Sequence, residues 1–160
     1  MSKKPTLLQI ANLAINKHKT IAIAESCTGG LISHTLTNLS GSSKYFKFGA
    51  VVYSDESKTK ILNISPKKIK QFGAVSEHIA TEMAENVRTI AKTDIGLSCT
   101  GIAGPLGGNK EKPIGTVYIG IVSSLGSVVK KFNFSGSRSK IKIKTKDKAL
   151  QLLTKCLRQL

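Results

Sequence analysis

Three short segments of this sequence carry residue types that could do covalent chemistry. The first is Ala24-Glu25-Ser26-Cys27-Thr28-Gly29-Gly30. A serine placed where a β-strand gives way to a helix sits in a field of unpaired backbone N–H groups. Such a field holds an anion, or the oxyanion that forms when the serine attacks a carbonyl. Gly29 and Gly30 permit a tight turn and let backbone approach a ligand closely. The second segment, Tyr53-Ser54-Asp55-Glu56-Ser57-Lys58, offers a base. None of the three segments holds a histidine, and a serine without histidine can be activated by a neutral lysine. An unperturbed lysine, with a pKa of about 10.4, is too basic for that task at neutral pH. Lys58 therefore has to be buried, or set beside another cation, if it is to serve. Tyr53 could pass protons or hold the pair. The third segment is Ser98-Cys99-Thr100-Gly101-Ile102-Ala103-Gly104-Pro105-Leu106-Gly107-Gly108. It matches neither G-x-x-x-x-G-K-[ST] nor G-x-G-x-x-G, yet a connection this long in a compact domain is usually functional.

Each of these residues also has a plain structural reading. Ser26 could be an ordinary helix cap, and Lys58 a solvated surface charge. Cys27 is a rival nucleophile, but a catalytic cysteine usually needs a histidine partner to become a thiolate. A small buried cysteine is its simpler role.

The elements that must position these segments follow from hydrophobic periodicity. Residues from about Thr6 to His18 read as a helix, apolar at Leu7, Ile10, Ala11, Ala14 and Ile15. Thr20 to Ala24 reads as a buried strand, and a helix carrying Leu31, Ile32, Leu36 and Leu39 should stop near Ser40-Gly41. Gly49 to Tyr53 looks like a second buried strand, and Ser54 or Asp55 is a good N-cap for a short helix. Ser65-Pro66 opens another. Ser76 caps a longer helix with Ile79, Met83, Val87 and Ile90 on one face. Asp94 to Cys99 reads as a third strand, and Thr100 to Pro113 as an extended loop. Ile114–Ser123 and Ser127–Phe134 flank Leu125-Gly126 as a hairpin, and a last helix spans about Thr145 to Leu160. Strands separated by helices argue for one domain over 1–160, a three-layer α/β/α sandwich. The closing hairpin makes its roughly five-stranded sheet mixed. Ligands bind such sheets at the C-terminal ends of the strands, where the three chemical segments lie.

Composition narrows the class. No run is apolar for the roughly 20 residues a helical membrane span needs, and the N-terminal pattern is not that of a signal peptide. With three scattered cysteines (Cys27, Cys99, Cys156) and no C-x-x-C, a reducing cytoplasmic setting is expected. Neither these nor His18, His34 and His78 show metal-ligand spacing. The 25 basic residues exceed the 9 acidic by 16, a balance that attracts anions. A nucleic-acid-binding or non-catalytic nucleotide-binding module would use that surface and bind with steep salt dependence. With 5 Phe, 3 Tyr and no Trp, stacking platforms are scarce and nucleic acid is the weaker prospect. A homodimer is the default assembly.

The motifs occur in one order: Glu25-Ser26-Cys27-Thr28-Gly29-Gly30, then Tyr53-Ser54 with Lys58, Gly73-Ala74-Val75-Ser76, Thr100-Gly101-Ile102-Ala103-Gly104-Pro105, and Lys112-Pro113-Ile114-Gly115-Thr116-Val117. In this the chain resembles the CinA C-terminal domain family, the nicotinamide-nucleotide amidases, from about Leu7 to Leu153. The resemblance implies a three-layer fold and deamidation of nicotinamide mononucleotide to nicotinate mononucleotide and ammonia, with no metal or organic cofactor. It implies Ser26 as nucleophile, Lys58 as its base and Tyr53 as their partner. Thr28, Gly29, Gly30, Thr100 and Gly101 are expected to hold substrate or oxyanion, and Arg138 to pair the phosphate. Some relatives carry a further N-terminal domain, so this chain reads as a stand-alone form. Ser137 stands where the family often has Asp, Leu106 within a usually all-Gly stretch, and Asp55 in place of a common Asn.

Overall fold

A computed structural model describes residues 5–160. Within them, five strands form one mixed sheet in the order β2-β1-β3-β4-β5. The strands are β1 (Ile21–Glu25), β2 (Phe46–Val51), β3 (Ile95–Gly101), β4 (Thr116–Ser123) and β5 (Gly126–Asn133). β1 pairs in parallel with both β2 and β3, whereas β4 and β5 are antiparallel. Helices α1 (Leu7–Asn16), α2 (Leu31–Thr37) and α6 (Arg138–Gln159) cover one face. The other carries α3 (Asp55–Leu62), α4 (Pro66–Phe72) and α5 (Glu77–Ala91).

The period-2 alternation of β1 divides the core between these layers. Ile21 and Ile23 join Ile10, Ile32, Leu36, Ile141 and Leu153 on the α6 side. Ala22 and Ala24 join Ile79, Met83 and Val87 of α5 on the other. Each fully buried isoleucine contributes about 1.5–3 kcal/mol. The sheet presents small residues to α5 because that helix lies very close to it. A Cβ on Gly96 would stand 2.0 Å from the Ala84 carbonyl oxygen, and one on Gly120 would stand 2.8 Å from that of Ala80. Between these two glycines, Ser98 Oγ donates to the Ala80 carbonyl at 2.5 Å. At the foot of the sheet, Asp94 accepts from Thr20 N (2.8 Å) and Thr20 Oγ1 (2.7 Å), tying β1 to β3.

Several expectations need correction. β2 starts at Phe46 and is an edge strand, half-buried in alternation rather than fully buried. β3 runs on to Gly101, because Thr100 and Gly101 pair with Tyr118 and Val117 of β4. Ile90 is solvent-exposed and leaves the α5 face to Ile79, Met83 and Val87. The final helix begins at Arg138, not near Thr145. Ser137 caps it, and Ile141, Thr145 and Ala149 bury at successive i, i+4 positions, which draws the basic stretch into the helix. Lysines at every second position on a helix fall on either side of that buried stripe instead of forming one ridge. Among the described residues no helix is long and apolar enough to cross a membrane.

Candidate active site

The turn after β1 is organised by Glu25, which is fully buried. Its Oε2 accepts from Thr28 Oγ1 (2.5 Å), Gly30 N (3.1 Å) and Ile32 N (3.0 Å). Its Oε1 accepts from Ser33 N and Ser33 Oγ, both at 2.7 Å. The carboxylate thus occupies the place a bound anion would take at the start of α2, satisfying three orphan amides and a hydroxyl pair. Gly29 (φ +63°) and Gly30 (φ +96°) are both left-handed, which lets the chain curl around this carboxylate. Gly29 N donates to the Ser26 carbonyl at 3.0 Å, and Ser26 N to the Cys99 carbonyl at 3.0 Å. Ser26 is thereby fixed at the carboxyl end of the sheet.

Lys58 arrives from the first turns of α3. Ser54 caps that helix in a reciprocal box with Ser57, and the helix starts directly at the end of β2. Lys58 is only 1% exposed, so the surface reading of this residue is corrected. Burial pushes its amine below the ordinary lysine pKa, and the nearby Asp55 carboxylate (3.9 Å) works against that shift. The neighbouring Cys99 thiol, followed by burial, pushes the Cys27 thiol well above its usual range. Cys27 is therefore held protonated and is a poor nucleophile beside Ser26.

The third wall is the loop after β3. Thr100 Oγ1 donates to the Ala74 carbonyl at 2.8 Å, holding the Gly73–Ser76 turn against the sheet. Ile102 N donates across to Thr116 of β4 at 2.9 Å. Successive strand amides point to opposite sides, so Gly101 N–H points towards β1, beyond whose end Ser26 sits. Arg138 closes the fourth side from the start of α6. Its Nη1 donates to the Gly104 carbonyl (2.8 Å) and its Nη2 to Tyr53 Oη (2.5 Å). With Oη accepting from Arg138, the phenolic hydrogen is left for another acceptor. Ser26, Tyr53, Lys58, Thr100, Gly101 and Arg138 all line one open cleft of about 260 Å³.

A family model, the CinA C-terminal domain, matches residues 4–157. The chain belongs to the CinA C-terminal domain family. Over 153 residues it is 46% identical to a CinA-like protein of Endomicrobium trichonymphae, covering 95% of this chain and 36% of that protein. A CinA-like protein of Koribacter versatilis is 47% identical over 138 residues, 86% of this chain and 33% of its own length. The chain spans about a third of the length of these curated relatives. Among solved structures, a CinA superfamily protein of Klebsiella pneumoniae superposes with TM-score 0.92 at 27% identity, over 96% of each chain. A competence or damage-inducible protein of Enterobacter asburiae gives 0.90 at 33% identity, over 94% of this chain and 95% of its own. The mixed five-stranded α/β fold is the fold of the CinA superfamily.

Within this CinA domain, three residues expected at the substrate lie elsewhere. Thr28 is wholly buried and spends its hydroxyl on Glu25 and Cys99. Gly30 N is taken by Glu25 and Gly29 N by Ser26, so neither amide is available to an oxyanion. Glu25 itself is the residue that sequence reasoning passed over. Its signal was an acid at a strand end just before a glycine-opened helix, at separations of three to eight residues that no capping-box pattern covers.

Proposed function

We propose that this CinA domain is an amidohydrolase that deamidates nicotinamide mononucleotide through Ser26, Lys58 and Tyr53. The observation that carries the reading is Lys58: a lysine buried to 1% exposure, its basicity lowered, lining the same cleft as Ser26. Lysine is rarely buried, and a depressed amine sharing a cleft with a serine hydroxyl is what a Ser–Lys dyad requires.

In the reaction, neutral Lys58 Nζ takes the proton of Ser26 Oγ as Oγ bonds to the carboxamide carbon. Gly101 N–H stabilises the oxyanion from the β3 side. The C–N bond then breaks, and the proton held by Lys58 leaves on ammonia. Water next attacks the acyl-serine, giving its proton to Lys58, and the carboxylate product departs as Ser26 Oγ is reprotonated. Tyr53 donates its free hydroxyl hydrogen to the substrate. Arg138, with no carboxylate partner among the described residues, binds the 5′-phosphate. No metal or organic cofactor enters these steps. The reducing cytoplasm is the expected setting, where Cys27, Cys99 and Cys156 stay thiols.

The test is ammonia release from nicotinamide mononucleotide by wild type and Ser26→Ala. Release by wild type alone bears out both reaction and nucleophile. Equal release by a folded Ser26→Ala protein removes Ser26 from the mechanism, and no release by wild type removes the substrate.

A further inference from the structure

The cleft is mixed in polarity. Ser26, Tyr53, Asp55, Lys58, Thr100 and Arg138 present its polar groups, while Ala74, Val75, Ile102, Ala103 and Leu106 contribute apolar lining. Leu106 stands out in that lining, being 85% exposed. A large aliphatic side chain left in water at the mouth of a polar cleft gains nothing for the free protein.

Its position is nevertheless built. The loop base is closed by Ile102 N to Thr116 O (2.9 Å) and Gly115 N to Ile102 O (2.7 Å). Its far end is closed by Asn109 N to Lys112 O (3.0 Å) and Lys112 N to Asn109 Oδ1 (2.7 Å). Arg138 Nη1 latches Gly104. Left-handed Gly104 (φ +78°) and Gly107 (φ +90°) flank the Leu106 segment, whose side chain stands in solvent. Ile114 lies close against Gly104, where an added Cβ would be 2.7 Å from Ile114 Cγ2.

We infer that Leu106 is a specificity-determining residue: it covers the flat face of an aromatic amide ring whose carboxamide reaches Ser26 and whose phosphate end reaches Arg138. The ligand class is a planar, ring-borne amide carrying a phosphorylated sugar, and Leu106 contributes to the ring part alone. This rests on the amidase reading for its orientation of the ligand. It separates Leu106, which sets ring affinity, from Arg138, which sets phosphate affinity.

The test uses binding to the full chain carrying Ser26→Ala, by calorimetry, with nicotinamide mononucleotide and ribose 5-phosphate as probes. Adding Leu106→Gly is expected to weaken nicotinamide mononucleotide about five- to tenfold, the value of partly burying a leucine. Ribose 5-phosphate binding should stay unchanged, and Leu106→Met should retain most of the nucleotide affinity. Equal weakening of both probes, or no change in nicotinamide mononucleotide, overturns the assignment. So does a parent protein that binds both probes equally, since the ring then contributes nothing. Ammonia release by wild type judges the amidase reading separately, because none of these binding outcomes depends on turnover.

Discussion

Replacing Glu25 by Gln keeps the shape of the side chain and changes its hydrogen-bonding character. The amide must put an NH2 group where one carboxylate oxygen stood. Facing Oε1 is the gentler choice, because Ser33 Oγ can rotate to accept while only Ser33 N–H loses its acceptor. A buried donor left unpaired costs roughly 1–3 kcal/mol. The three donors on the other oxygen, from Thr28, Gly30 and Ile32, then bond a neutral carbonyl, each losing part of a charge-assisted bond. The expected loss is about 3 kcal/mol, read as urea unfolding free energy. For a chain of this size that corresponds to a fall in Tm of about 6–12 °C. A double-mutant cycle sharpens the assay: Ser33→Ala should cost about 1 kcal/mol in wild type and at least as much in the Glu25→Gln background, where it leaves the new NH2 group without its acceptor. Ammonia release should also fall, because the turn that presents Ser26 loosens. A loss under about 1 kcal/mol with full activity would refute the claim that this carboxylate organises the turn.

Lys58→Met should separate function from stability, with ammonia release dropping by about 10²–10⁴-fold while unfolding free energy rises by about 1–2 kcal/mol as a buried polar amine gives way to an apolar side chain. Because burial lowers the folded-state pKa of Lys58, the folded protein binds fewer protons than the unfolded chain between that pKa and the ordinary lysine value. Wild type should therefore gain stability as pH rises through that window, and kcat/KM should climb through its lower edge; a Lys58→Met protein showing the same stability gain would exclude Lys58 as its source. Gly96→Ala puts a Cβ 2.0 Å from the Ala84 carbonyl oxygen and 2.7 Å from Arg88 Cβ, and should cost about 3 kcal/mol or more by displacing α5; a thermal melt within a degree or two of wild type would show that the helix lifts away freely.

Much of this architecture is legible because each layer obeys its own period. The Ile/Ala alternation of β1 and the Ile79, Met83, Val87 spacing of α5 place both elements on the correct faces. Loop positions follow from glycine, and Ser26, Tyr53, Lys58 and Arg138 do converge on one cleft. What stayed hidden depends on contacts between distant residues. Thr100 and Gly101 read as loop because nothing local reveals that Tyr118 and Val117 will pair with them. The start of α6 is obscured by lysines, which say little about period when they occupy every second position. Lys58 has the local features of a surface charge, and only the packing of α3 against α4 and α5 buries it. Glu25 is a special case: five-fold acceptance by one carboxylate is a property of the folded turn, invisible until Gly29 and Gly30 bend the chain back on it.

The bond from Arg138 to Tyr53 joins residues 85 positions apart. Ser26 follows the first strand of the sheet, Tyr53 and Lys58 follow the second, Gly101 ends the third, and Arg138 opens the last helix. Contacts of such separation close late, after loop entropy has been spent. Arg138 is also the last of these residues to be synthesised, so the cleft cannot close before α6 has emerged. A nascent chain that has paired β1 with β2 and β3 already carries both serine and lysine at the end of the sheet, yet lacks the guanidinium that holds Tyr53 and Gly104. Docking of α6 then acts as a completion step, joining readiness for chemistry to the end of folding.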